Sequence, residues 1–313
     1  MNSSFRTKSR HGYSVKFSPF MHNRLACVSS QYYGIAGCGT LYVLDNQPNQ
    51  IALTQIYEWN NGLFDVAWAE NNENILVTAA GDGSLQVWDV TQQQGLLKIF
   101  KEHEKEVNSV DWSQTRNEQL ILTGSWDTFV KLWDITQDKS LATFCGHSSI
   151  VYNVSWSPHV PGCFASCSGD HTLRVWDCKN PRSSAIIIPA HDEEVLASDW
   201  CKYNEYTLFS GSVDGSIKGW DIRNPMIPIC YLQGHKYSVR RIRASPFNGA
   251  ILASASYDFT VKLWNIQKQI CLQTVENHSE FVYGLDFNLH IPGQMADCSW
   301  DELVHIYHTE LVL

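Results

Sequence analysis

The sequence predicts an all-β ring of seven four-stranded blades, and two observations carry that prediction. A Trp-Asp pair or a near relative recurs at Leu44-Asp45, Trp88-Asp89, Trp133-Asp134, Trp176-Asp177, Trp220-Asp221, Trp264-Asn265 and Tyr307-His308, at intervals of 43 to 45 residues. The spacing inside each unit is fixed as well. An Asp lies six residues before the anchor in six units (Asp82, Asp127, Asp170, Asp214, Asp258, Asp301), and Thr78, Thr123, Ser166, Ser210 or Ser254 lies four residues before that Asp. A His lies 29 or 30 residues before the anchor in five units, at His103, His147, His191, His235 and His278. Repeats of this length, each holding four short strands, are the signature of a propeller, because one blade cannot bury both of its faces and must stack on neighbours until the ring closes. Residues 1–313 are therefore expected to form a single seven-bladed WD-repeat β-propeller.

Taken in chain order, the first unit is the irregular one. About seven extra residues lie around Gln31 to Ala36, Cys38 stands at the Asp position and Leu44 replaces Trp, so this blade should differ locally. In later units, runs such as Thr-Leu-Arg-Val-Trp-Asp (172–177) alternate apolar and polar residues between Gly and Asp turns, as half-buried strands do. The segment before the first full unit is expected to supply a strand to the last blade.

The recurring His, Ser or Thr, and Asp resemble a hydrolase triad, but an enzyme needs one activated nucleophile and these residues recur blade after blade. A buried network in which Asp orients His, His bonds the hydroxyl and the hydroxyl meets the indole N–H accounts for all of them. No catalysis is expected. His159, Cys163, Cys167 and His171 look like a zinc ladder. Yet Cys163 and Cys167 are four residues apart on one strand, about 13 Å, too far for thiolates that must each lie about 2.3 Å from one zinc. Gly34, Gly37 and Gly39 lack the following helix and the Lys of a phosphate loop. Neither metal nor cofactor is expected.

The chain carries 32 acidic and 23 basic residues, a formal charge of −9, which disfavours a general grip on nucleic acid or anionic membrane. Charge is also polarised: Asn46 to Leu97 holds acids alone, whereas Arg223 to Lys268 is basic apart from Asp258. Met1 to Arg10 lacks the apolar middle of a secretory signal, no run approaches the roughly 20 apolar residues of a spanning helix, and the cysteines follow no disulfide framework. A cytosolic protein that does not insert in membranes is expected.

Twelve tryptophans sharpen the reading. Five are anchors, and Trp68, Trp112, Trp156 and Trp200 share a position in the innermost strands. Trp59, Trp126 and Trp300 remain. Trp126 and Trp300 directly precede their turn Asp, as Tyr257 does, on the face where the His loops also lie. The same face should carry the start of each innermost strand, with Tyr13, Phe64, Asn108, Tyr152, Leu196, Arg240 and Tyr283 at the channel mouth and Glu106 and Glu194 two residues earlier in their blades. Acids and aromatics on one rim suit a ligand with a cation beside an aliphatic side chain.

Gly-Leu-Phe-Asp-Val-Ala-Trp (62–68), Gly-Ser-Trp-Asp (124–127), Asp-Trp-Cys-Lys-Tyr-Asn (199–204), Ser-Tyr-Asp-Phe-Thr-Val (256–261), Ala-Asp-Cys-Ser-Trp-Asp-Glu (296–302) and the irregular Tyr-Gly-Ile-Ala-Gly-Cys-Gly-Thr (33–40) resemble the peroxin 7 family over essentially the whole chain. The resemblance implies a cytosolic receptor for the type-2 peroxisomal targeting signal, cycling to the peroxisome matrix. Its cargo would carry an N-terminal nonapeptide of Arg or Lys, an aliphatic residue, five variable residues, His or Gln, and a small or aliphatic residue. It also implies a co-receptor, the long form of peroxin 5 or a fungal equivalent, and a peroxisomal docking complex. On a helix the first and eighth positions share a face, as do the second and ninth. The expected contacts are Glu106, Asp65 and Glu194 for the cation and Trp126, Trp300, Tyr257, Phe64, Tyr152 and Tyr283 for the apolar groups. Arg240, Arg241 and Arg243 are the candidate docking sector for the co-receptor. The alternative is a WD scaffold or substrate-recognition subunit of a ubiquitin ligase or chromatin complex.

Overall fold

In the computed structural model, which describes residues 3–48, 50–115 and 118–309, each sequence unit becomes one antiparallel four-stranded sheet, and there are seven of them. The innermost strands are His11–Phe17, Leu63–Trp68, Val107–Trp112, Val151–Trp156, Val195–Trp200, Val239–Ala244 and Val282–Phe287. As expected, the N-terminal strand Ser3–Arg6 completes the seventh blade by pairing with Leu303–His308, in the register Ser3 to Ile306 and Arg6 to Leu303. The ring is thus closed by the pairing of Ser3–Arg6 with Leu303–His308.

The apolar core is divided among the blade interfaces. One cluster packs Val77, Leu85 and Phe100 of the second blade on Val107, Trp112 and Trp133 of the third. Another packs Phe209 and Ile217 of the fifth on Val239 and Trp264 of the sixth. Polar bonds near the channel tie neighbouring blades together. Asp65, Asp111, Asp199 and Asp286 accept the backbone N–H groups of Val110, Trp156, Ala244 and Phe17, each in the next blade. Burial pushes Asp111 up to about 7 and Asp286 to about 6, because withdrawing a carboxylate from bulk water disfavours its charged form.

The recurring triads are architectural. In the third blade His103 bonds Asp127 at 2.7 Å and Thr123 at 2.8 Å, and the Trp133 indole N–H donates to the same Thr123 hydroxyl at 2.8 Å. The fourth, fifth and sixth blades repeat this through His147, His191 and His235. In the second blade Trp59 stands at the His position, 29 residues before its anchor, and packs edge-on against Trp88 with ring centres 6.4 Å apart. There Thr78 bonds Gln86 instead.

The seventh blade departs in another way. Asp297 replaces the hydroxyl residue, so His278 sits between two carboxylates, 2.9 Å from Asp297 and 2.9 Å from Asp301. Burial opposes its charge, but the two carboxylates outweigh burial and hold its pKa up at about 10. Burial keeps His147 and His235 below their usual range. A raised folded-state pKa stabilises the fold below the unfolded value near 6.5, and this contribution is lost as pH rises through the folded value. Stability is therefore expected to fall between pH 6.5 and 10, by up to about 1.4 kcal/mol per pH unit. Asp297→Ser, which restores the hydroxyl, should remove most of that slope in chemical unfolding curves. Equal slopes in both proteins would show that His278 is not the charged group.

Candidate functional site

The site is built by a device repeated in all seven blades. The ladder between the first and second strands skips one residue near the start of the innermost strand, between Gly12 and Ser14, Leu63 and Asp65, Val107 and Ser109, Val151 and Asn153, Val195 and Ala197, Val239 and Arg241, and Val282 and Gly284. A bulge of this kind re-aims the side chain of the extra residue. The seven skipped residues are Tyr13, Phe64, Asn108, Tyr152, Leu196, Arg240 and Tyr283, and all of them line one bowl of about 740 Å³ at the top of the channel. Glu106, Trp126, Tyr257 and Trp300 line it too. That volume is in the range of ligand sites.

One wall is a continuous aromatic surface. Trp300 stacks on Tyr283 with centres 4.9 Å apart and planes 10° apart, and it lies 5.2 Å from Phe281 and 5.9 Å from Tyr13. The Tyr257 hydroxyl donates to that of Tyr283 at 2.8 Å. Opposite this wall, Trp126 is 39% exposed, and its backbone N–H donates to the Glu106 carbonyl. The Glu106 carboxylate has no partner among the described residues. Glu194 stands at the edge and accepts the Tyr152 hydroxyl at 2.9 Å.

The irregular first-blade loop completes the bowl. Tyr33, Gly34 and Ile35 line it, a position that the insertion's place in the repeat does not predict. Gly34 has φ +71°, and a Cβ on it would stand 2.6 Å from the Phe64 ring, so only glycine fits. Tyr32 and Tyr33 also have positive φ. Such strain costs on the order of 1 kcal/mol per residue and gathers at functional sites. It presents Ile35, 87% exposed, at the lip. The readable signal was the pair of tyrosines in an insertion next to the rim.

Four expectations need correction. Asp65 is not on the rim: it follows the bulge, points into the channel, is 1% exposed and forms an ion pair with Arg241 at 3.0 Å. Arg240 and Arg241 are each 3% exposed, and Arg243 is paired with Asp286 at 3.4 Å. All three belong to an innermost strand, whose side chains face the channel or a blade interface, so they form no external docking sector.

Known proteins share both fold and sequence with this chain. The repeat model described as WD domain, G-beta repeat, matches residues 53–89, 94–134, 138–177, 182–221 and 226–265. A mouse peroxisomal targeting signal 2 receptor is 55% identical over 97% of this chain and 96% of its own length. The chain belongs to the peroxisomal targeting signal 2 receptor family. A receptor of the same family from Schizosaccharomyces pombe is 32% identical over 97% of this chain and 99% of its own length. The WD40 propeller domain of Doa1 superposes with a TM-score of 0.83 over 99% of this chain and 96% of that one, at 18% identity, a likeness of fold alone. No helix among the described residues is long and apolar enough to cross a membrane.

Proposed function

We propose that this member of the family is a non-enzymatic receptor. It takes the N-terminal type-2 signal of cargo proteins into the top-face bowl and, with a co-receptor, delivers them to the peroxisomal matrix. The observation that carries the proposal is the bowl itself: Glu106, a carboxylate without a partner among the described residues, beside exposed Trp126 and opposite the aromatic wall of Tyr257, Tyr283 and Trp300. A cation finds the free acid and an aliphatic side chain finds the rings, an arrangement that gives both charge-assisted bonding and apolar burial. Full-length similarity to receptors from mouse and fission yeast supports the cargo class. The co-receptor has to use surface outside Arg240, Arg241 and Arg243.

The test is capture by immobilised nonapeptides. A peptide led by Arg-Leu should retain the purified protein, and the same peptide led by Glu-Leu should lose at least about nine-tenths of it, the effect of one charge-assisted contact of 1.5–3 kcal/mol. Equal capture by the two would overturn the proposal.

A further inference from the structure

The bowl contains a second charged group that its basic-ligand reading does not use. Arg240 occupies the skipped position of the sixth blade, is 3% exposed and lines the bowl, yet its guanidinium makes no salt bridge among the described residues. Its Nη1 is buried without a hydrogen-bond partner. Asp65, a carboxylate in the same channel whose charge Arg240 feels, is already engaged by Arg241 and by the Val110 N–H. What supports Arg240 is the face of Tyr283, 5.0 Å from the guanidinium carbon. A second donor against the same ring is also unpaired: Trp300, stacked on Tyr283, has its indole N–H buried with no acceptor. Buried donors of this strength are costly when unmade. Two of them beside one ring, in a bowl open to ligand, describe a place prepared for an acceptor that the chain itself does not supply.

We infer that Arg240 is a specificity-determining residue that donates to a hydrogen-bond acceptor at the far end of the bound peptide from the residue held by Glu106, and so fixes the direction in which the peptide lies. This deepens the receptor reading above and rests on it. Glu106 belongs to the third blade and Arg240 to the sixth, so the two charges stand on different sides of the ring. A nine-residue helix advances about 10 Å between its first and eighth residues, and these share a face. With its leading cation at Glu106, the peptide turns the side chain of its eighth residue toward Arg240, where an amide oxygen or an unprotonated imidazole nitrogen accepts. A peptide laid the other way would bring its cation against the guanidinium.

A cycle of titrations tests this, with binding followed by fluorescence anisotropy of labelled Arg-Leu-led nonapeptides carrying Gln or Leu at the eighth position. The native protein should bind the Gln peptide at least 10-fold more tightly than the Leu peptide, and Arg240→Met should reduce that ratio to below 2-fold. Arg240→Lys, which keeps charge and donors in a different geometry, should give an intermediate ratio. Losing an unpaired buried charge should leave the thermal midpoint of Arg240→Met equal or raised, which separates a binding defect from misfolding. An undiminished ratio in Arg240→Met, or a native protein indifferent to the eighth residue, overturns the inference while leaving the receptor reading intact. A native protein that binds an Arg-led peptide no better than a Glu-led one overturns both.

Discussion

Glu106→Arg is expected to abolish capture of an Arg-led signal peptide without disturbing the fold. The carboxylate lines the bowl and has no partner among the described residues, so its loss should remove no bond among them and leave the unfolding midpoint in place. Its replacement does two things to a cationic ligand. A charge-assisted contact of about 1.5–3 kcal/mol disappears, and a like charge stands where the ligand charge has to go. Together these amount to a loss of affinity of about 100-fold or more, measurable by titration at fixed ionic strength. Raising salt should weaken native binding, since the bowl is open to solvent and the interaction is screened. Unaltered affinity would remove Glu106 from the site.

Asp65→Ala is expected to act through stability instead. Asp65 is 1% exposed and holds two groups at once, the Arg241 guanidinium at 3.0 Å and the Val110 N–H at 3.1 Å. Truncating it strands a buried cation beside Arg240, itself unpaired, and unmakes a bond between the second and third blades. Breaking a buried pair from one side costs on the order of 3–5 kcal/mol, which chemical unfolding should show directly. Asp65→Ala with Arg241→Met should recover most of that loss, because no charge is then left without its counterpart. A single variant within about 1 kcal/mol of native would mean that water or a shifted Arg241 compensates. Glu106 lines the bowl, whereas Asp65 is buried in the channel beneath it. A free carboxylate is available to a ligand, and an engaged one belongs to the ring.

That contrast also marks where sequence stops being legible. The blade count, the closing strand, the anchors and the His networks follow from spacing, since every blade must satisfy the same buried donors. The bowl was legible for a related reason: Trp126, Trp300 and Tyr257 had no part in the repeat, and the seven skipped residues share one position in it. Asp65 was misplaced because Phe64 is itself the bulged residue and Asp65 rejoins the ladder after it, so the two neighbours face different surroundings. The Arg240, Arg241 and Arg243 run read as an exposed basic sector because local composition does not distinguish an innermost strand that lines a channel from a solvated edge. Tyr33 and Ile35 escaped because an insertion has no repeat position to be read from. His278 matches its four counterparts in spacing, but Asp297 occupies the hydroxyl position, a single substitution that sets a second carboxylate against the imidazole and holds its pKa up.

Exchanging the charges between receptor and signal tests most directly whether the bowl is where cargo is read. Glu106→Arg should fail to bind the Arg-led nonapeptide and bind the Glu-led one, restoring at least about a tenth of native affinity, because a reversed pair recovers Coulomb attraction but not an optimised geometry. A Glu106→Arg protein that still prefers the Arg-led peptide, or that binds neither while the native protein binds both equally, would contradict the placement of the signal's cation at Glu106.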